Sequence, residues 1–204
     1  MPWVTTRIDR REARIDVEIA INFLRARKLP EQEFADLKAR AKNGIARYWS
    51  RAIEYQQNYF DVRVQVVERS RAALRMKIVV NGKKRFARSF SPGLIAARLK
   101  YNGMFYANKP RADQAFELTT AHEFGHSVLL ASGGLRHSWG HKGTVVSLLQ
   151  TTRKTAPCYP PSGEIDLMCY YNGIVPDLAA CCARTQAAES DLRALIELGM
   201  ESRP

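Results

Sequence analysis

Polar and apolar residues alternate strictly from Arg14 to Phe23. Ile15, Val17, Ile19, Ile21 and Phe23 fall on one side, and Asp16, Glu18, Ala20 and Asn22 on the other. A period of two over ten residues predicts a half-buried strand. At Pro30 the period changes: Phe34, Leu37, Ala41, Ile45 and Trp49 recur every three or four residues, behind Glu31 and Glu33 in the first turn. That is an amphipathic helix with acidic residues at its positive end, expected to run to about Tyr55 and to bend at Gly44. Strands are expected next at 59–67, 73–80 and 85–90, the last two joined by the Asn81-Gly82 turn signal. After Ser91-Pro92-Gly93 comes a further strand at 99–106, broken at Asn102-Gly103. Pro110 opens a second long helix that reaches about Ala131 and stops at Ser132-Gly133-Gly134. Residues 133–183 form a long irregular stretch in which Trp139, Tyr159, Tyr170 and Tyr171 favour order. A helix over about 187–198 closes the chain. Strands and helices in this mixed order predict an α+β fold.

The chain has 204 residues, 46% hydrophobic and 25% charged, which suits one domain with a real core and excludes disordered, collagen-like and coiled-coil chains. No apolar run approaches the roughly 18 residues of a membrane helix, and the first residues lack the apolar core of a secretory signal. The net charge of +12 is unevenly placed. Residues 1–104 hold 23 Lys/Arg against 10 Asp/Glu, and residues 105–204 hold 9 against 10. The expected organisation is therefore one domain over 1–204, with a basic N-terminal lobe (1–108) and a near-neutral part (109–204) that carries the second long helix. A basic lobe attracts nucleic acid, anionic lipid or a cell-wall polymer, or is simply a solvated surface. Cys158, Cys169, Cys181 and Cys182 contain no C-x-x-C pair, which argues against a zinc ribbon and leaves local disulfides and free thiols both open.

The second long helix carries His122-Glu123-Phe124-Gly125-His126. Residues four apart share a helical face, so His122 and His126 can ligate one metal ion while Glu123 serves as general base. At this composition chance produces about 0.005 such pentapeptides per chain. Zinc suits the set, because a third ligand leaves one position open for water. The extended motif with Gly and His three and six residues further on fails, since those positions are Leu129 and Ser132. His137, His141, Glu164 and Asp166 are the remaining candidates. Met168-Cys169-Tyr170 resembles the methionine turn of the metzincins.

These residues, together with Ser138-Trp139-Gly140-His141-Lys142-Gly143-Thr144, Gly163-Glu164-Ile165-Asp166-Leu167-Met168 and Tyr170-Tyr171, resemble the metallopeptidase effector domains at the C-terminus of some type VI secretion VgrG spike proteins. The resemblance covers about residues 105–175. It implies a zincin-like fold: a twisted mixed sheet, a long packing helix, the motif helix and an irregular C-terminal lobe. It also implies a zinc peptidase with His122, His126 and Glu164 as ligands, Glu123 as base, and Tyr170 or His141 stabilising the oxyanion. The implied role is a secreted antibacterial toxin acting in the periplasm of a target cell, on a protein or a peptidoglycan peptide. A carrier spike and a cognate immunity protein are the implied partners. The alternative expectation is a basic module that binds nucleic acid or an anionic cell-wall polymer around a structural zinc.

Overall fold

A computed structural model describes residues 3–80, 88–91, 97–102, 108–146 and 151–201. Among these the chain is mixed α+β. The strands β1 (Val4–Asp9), β2 (Arg14–Arg25), β3 (Arg51–Tyr55), β4 (Asn58–Glu68), β5 (Leu74–Val80) and β6 (Ala97–Tyr101) form one sheet in the order β3-β4-β2-β5-β6. β1 pairs antiparallel with the first half of β2, from Asp9↔Arg14 to Val4↔Ile19. β5 takes over from Ile21↔Leu74 onward, in parallel. The length of β2 lets it serve two neighbours in succession while β4 runs parallel beside it.

The alternation that predicts β2 also buries it: Ile15, Val17, Ile19 and Ile21 are fully enclosed, as are Val62 of β4 and Ile78 of β5. Against them packs helix α1 (Glu31–Trp49) through Phe34, Leu37, Ala41, Ile45, Tyr48 and Trp49. The helix ends at Trp49, six residues before the expected Tyr55. Residues 51–55 instead form a hairpin with β4, closed by Tyr55↔Asn58. The two turn residues, Gln56 (φ 51°) and Gln57 (φ 64°), are both left-handed. A turn of that type favours Asn-Gly, so Gln-Gln gives no sequence sign of it. β1 is a second element that the hydrophobic pattern does not announce.

Gly44 does not bend α1. A Cβ there would lie 2.3 Å from the Glu117 carbonyl oxygen, on α2 (Lys109–Trp139), which crosses α1 at this point. Gly44→Ala must push the two helices apart. Overpacking costs about 1–3 kcal/mol, against a gain in helix propensity of about 1 kcal/mol. The expected result is a lower melting temperature; an unchanged or raised one would show that the crossing is looser.

α2 begins at Asn108, whose side chain accepts from Arg111 N, with Pro110 in the first turn. The expected stop near residue 134 is real: Gly134 (φ 76°, ψ 179°) breaks the helical path, and a second helical segment continues to Trp139. The stretch expected to be irregular holds short pairings, β7 (Val145–Val146) with β8 (Thr151–Thr152) and β9 (Ile165–Asp166) with β10 (Thr185–Gln186), and helix α3 (Leu178–Arg184). Helix α4 (Glu189–Met200) buries Leu192, Leu195, Ile196 and Leu198 in the same core. The expected Asn81-Gly82 turn, residues 85–87 of the 85–90 strand and residues 103–106 of the 99–106 strand lie outside the described residues. Of that region, Phe90 bridges Arg98 on β6, with backbone bonds of 3.1 and 2.9 Å. All four cysteines stand as thiols. No described helix is long and apolar enough to cross a membrane.

Candidate metal centre

The motif sits mid-way along α2, where core packing fixes the helix on both sides. Phe124 meets Trp49 edge-on at 5.1 Å and Trp3 at 6.1 Å. The Trp49 indole N–H donates to the Ala121 carbonyl at 3.2 Å. With Phe124 turned into the core, His122 and His126 face the other way. Gly125, between them, admits Met168: a Cβ there would stand 2.2 Å from the Met168 sulfur. The fully buried Met168 thus packs against the motif at Gly125.

The third group beside these two is His141. Ligand atoms of His122, His126 and His141 all lie within 4.8 Å of one another, and Nε2 of His122 and His141 are 3.2 Å apart. Each ring is held at Nδ1 by an oxygen. His122 Nδ1 is 2.8 Å from the Leu167 carbonyl and His141 Nδ1 is 3.2 Å from the Trp139 carbonyl. A carbonyl only accepts, so both rings carry their proton on Nδ1. His126 Nδ1 is 3.1 Å from Ser138 Oγ, and that hydroxyl donates to the His126 carbonyl at 2.9 Å. Its proton engaged, Ser138 accepts from the ring. All three imidazoles therefore present an Nε2 lone pair, which is the arrangement that outer hydrogen bonds impose on metal-binding histidines.

Burial keeps the rings neutral. It pushes His126 down to about 2 and His141 down to about 3, and lowers His122, with the neighbouring rings adding repulsion at His126 and His141. Neutral lone pairs 3.2 Å apart repel; a cation between them turns repulsion into ligation. Tetrahedral Zn–N bonds of about 2.0–2.1 Å put ligand atoms about 3.3 Å apart, so this donor set fits such an ion. Glu123 lies beside it, buried, with Oε2 unpaired among the described residues. Burial pushes its carboxyl up to about 8, and Arg88 pulls it down; a bound divalent cation pulls in the same direction as Arg88.

His141 reaches the site through an unusual turn. His141 (φ 46°), Lys142 (φ 58°) and Gly143 (φ 88°) are successive left-handed residues, a costly path for the two non-glycines. Two anchors hold it. Thr144 Oγ1 donates to the His141 carbonyl at 2.7 Å and accepts from Tyr170 N at 3.0 Å. The Lys142 ammonium is clamped between Asp166 (2.6 Å) and the buried Asp191 of α4 (3.1 Å). Asp166 also accepts from Met168 N at 2.8 Å, so one carboxylate ties the histidine turn to the methionine turn.

Glu164, expected as the third ligand, is not among the grouped residues. Its side chain is 61% exposed and pairs with Arg51 at 2.7 Å. The two residues after Glu164, Ile165 and Asp166, form β9 and pair with β10, which leaves the Glu164 side chain at the surface while His141 takes the inner place. His137 is exposed on the helical segment after Gly134, and Asp166 serves Lys142. Tyr170 lies beside the histidines, its ring 4.4 Å from that of His141 and 6.1 Å from that of His122. Tyr171 instead accepts from Asp166 N at 2.9 Å and stacks on Tyr159.

Arg88 is a group that sequence reasoning missed. It donates to the Tyr170 hydroxyl and lies over the Tyr170 ring. One cation in the Lys/Arg-rich run before it looks like any other, so no local signal marks it. The Leu167 carbonyl and Ser138 were equally silent, since a backbone oxygen and a serine carry no signature. Two open cavities, of about 480 and 440 Å³, meet at Arg88, His122, Glu123 and Tyr170. The larger is walled by Phe116, Leu118, Tyr159, Tyr171 and Val175. The smaller is closed by Phe90 and Trp139. Compared with family models, curated proteins and solved structures, the chain matches none.

Proposed function

We propose that this chain is a zinc peptidase of zincin type. The observation that carries the reading is the convergence of three Nδ1-tethered imidazoles beside a buried carboxylate oxygen without a partner, at the meeting point of two clefts. Zinc held by His122, His126 and His141 would supply polarisation of the scissile carbonyl and a more acidic water. Glu123 takes a proton from the attacking water on its free Oε2 and returns it to the leaving amine. The Tyr170 hydroxyl, steadied by Arg88, faces the same space and donates to the developing oxyanion. The low basicity of the buried histidines leaves all three ready to bind a cation at neutral pH. A closed structural zinc site takes four protein ligands; the three grouped among the described residues leave a position for water, which favours catalysis over the structural-zinc binding module.

The resemblance of residues 105–175 to secreted effectors extends the proposal to a toxin acting on protein or peptidoglycan peptides in a target periplasm, with a carrier and an immunity protein as partners. The basic N-terminal lobe suits the anionic envelope of such a target. Chelation followed by dialysis should abolish hydrolysis of an unfolded protein substrate, and about one equivalent of zinc should restore it. Hydrolysis that continues undiminished in metal-free protein would refute the reading.

A further inference from the structure

We infer that the cleft selects peptides bearing a carboxylate next to the scissile bond, with Arg88 as the receiving group. This rests on the peptidase reading of the same site. Arg88 lines both cavities where they meet at His122 and Glu123. Among the described residues the Tyr170 hydroxyl engages one of its five N–H groups, and no carboxylate pairs with it. Its position is set by the backbone beside it. Phe90 pairs with Arg98 of β6, and Ser89 Oγ accepts from Lys100 N at 2.8 Å. In the register of that antiparallel pair Arg88 stands opposite Lys100, which also borders the larger cavity.

The anionic side of the larger cleft is already spoken for. Its acidic lining residues are Glu123 and Asp166. Asp166 is neutralised by Lys142 at 2.6 Å, and Glu123 is the base. Among the described residues, a cleft with one forked cation free of carboxylate partners at its centre, a second on its border and no competing free carboxylate beyond the base attracts an anion. The planar fork of a guanidinium matches a carboxylate in two parallel bonds. An acidic side chain and a C-terminal carboxylate both offer that chemistry.

The test uses the zinc-loaded protein and peptide hydroxamates of one sequence, whose hydroxamate anchors to the metal. One pair differs as Glu or Gln beside the anchor, and a second pair has a free or an amidated C-terminus. Dissociation constants are read by calorimetry. The carboxylate member of one pair should bind at least about tenfold more tightly than its neutral twin, and which pair responds identifies the source. Arg88→Gln should erase that preference, so that both members of the responding pair bind with equal affinity, and their binding through the metal-anchored hydroxamate shows that the variant is folded. Lys100→Gln should reduce the preference by a smaller factor, and added salt should shrink it in the parent protein. Equal affinity within both pairs, with all four compounds bound, overturns the inference and leaves the metal reading standing. An Arg88→Gln variant that weakens both members equally overturns it too, and places Arg88 at the oxyanion instead. If none of the four binds, the metal reading falls and this inference falls with it.

Discussion

His141→Ala should empty the metal site, while Glu164→Ala should leave it filled. The two substitutions separate the arrangement in the fold from the one that the resemblance to secreted effectors implies. His141 brings its Nε2 to 3.2 Å from that of His122 with its other nitrogen tied to the Trp139 carbonyl. Removing it leaves two imidazoles and too few donors for a tight site. Even the loss of an outer partner of a ligand typically weakens metal binding 10–100-fold, so loss of the ligand itself should cost more than about 100-fold. Glu164, 61% exposed and paired with Arg51, is a surface ion pair worth about 0–1 kcal/mol. Metal content by elemental analysis after gel filtration decides the matter. Stoichiometric zinc in His141→Ala together with an empty Glu164→Ala would reverse the ligand assignment.

Glu123→Gln should separate hydrolysis from metal binding. The amide keeps the size of the carboxyl and gives up the proton-accepting oxygen. Loss of a general base typically lowers the rate about 10²–10⁴-fold, while zinc content stays near one. The variant should also be no less stable. Burial raises the Glu123 carboxyl from 4.5 to about 8, so the folded metal-free protein holds a proton that the unfolded chain has released between those values. Its stability therefore falls as pH rises from 4.5 through 8, and Glu123→Gln removes that contribution. Comparing the metal-free melting curves of the two proteins across this window isolates the effect. Directed to a bacterial periplasm, the parent protein should halt growth and Glu123→Gln should not, with cytoplasmic retention sparing the cell. Equal toxicity of a zinc-loaded Glu123→Gln protein would end the peptidase proposal and restore the binding module.

The difference between legible and illegible parts follows the range of the interactions. Every strong element with a local period was readable: the alternation in β2 and β4, the three-four spacing in α1, and the Gly134 break in α2 are consequences of neighbours in the chain. Elements set by distant partners were not. β1 has no strong alternation and exists because β2 offers it an edge. β3 looked like the continuation of α1 until the Gln56-Gln57 turn folded it onto β4. Gly44 read as a flaw in a helix, and its meaning lies on another helix, at the Glu117 carbonyl.

The same division runs through the site. By itself the sequence determined that His122 and His126 share a helical face with Glu123 beside them, because four residues make about one helical turn. It also placed a methionine and tyrosines within reach in one short segment. Only the tertiary structure decided that His141 is the third imidazole, since that depends on the Gly134 break, a left-handed turn and a lysine clamped by Asp166 and Asp191. Only the tertiary structure sent Glu164 to Arg51 and brought Arg88 to Tyr170. Helical spacing is written in adjacent residues, whereas an imidazole brought in across a kink and a strained turn is placed by the packing that holds them.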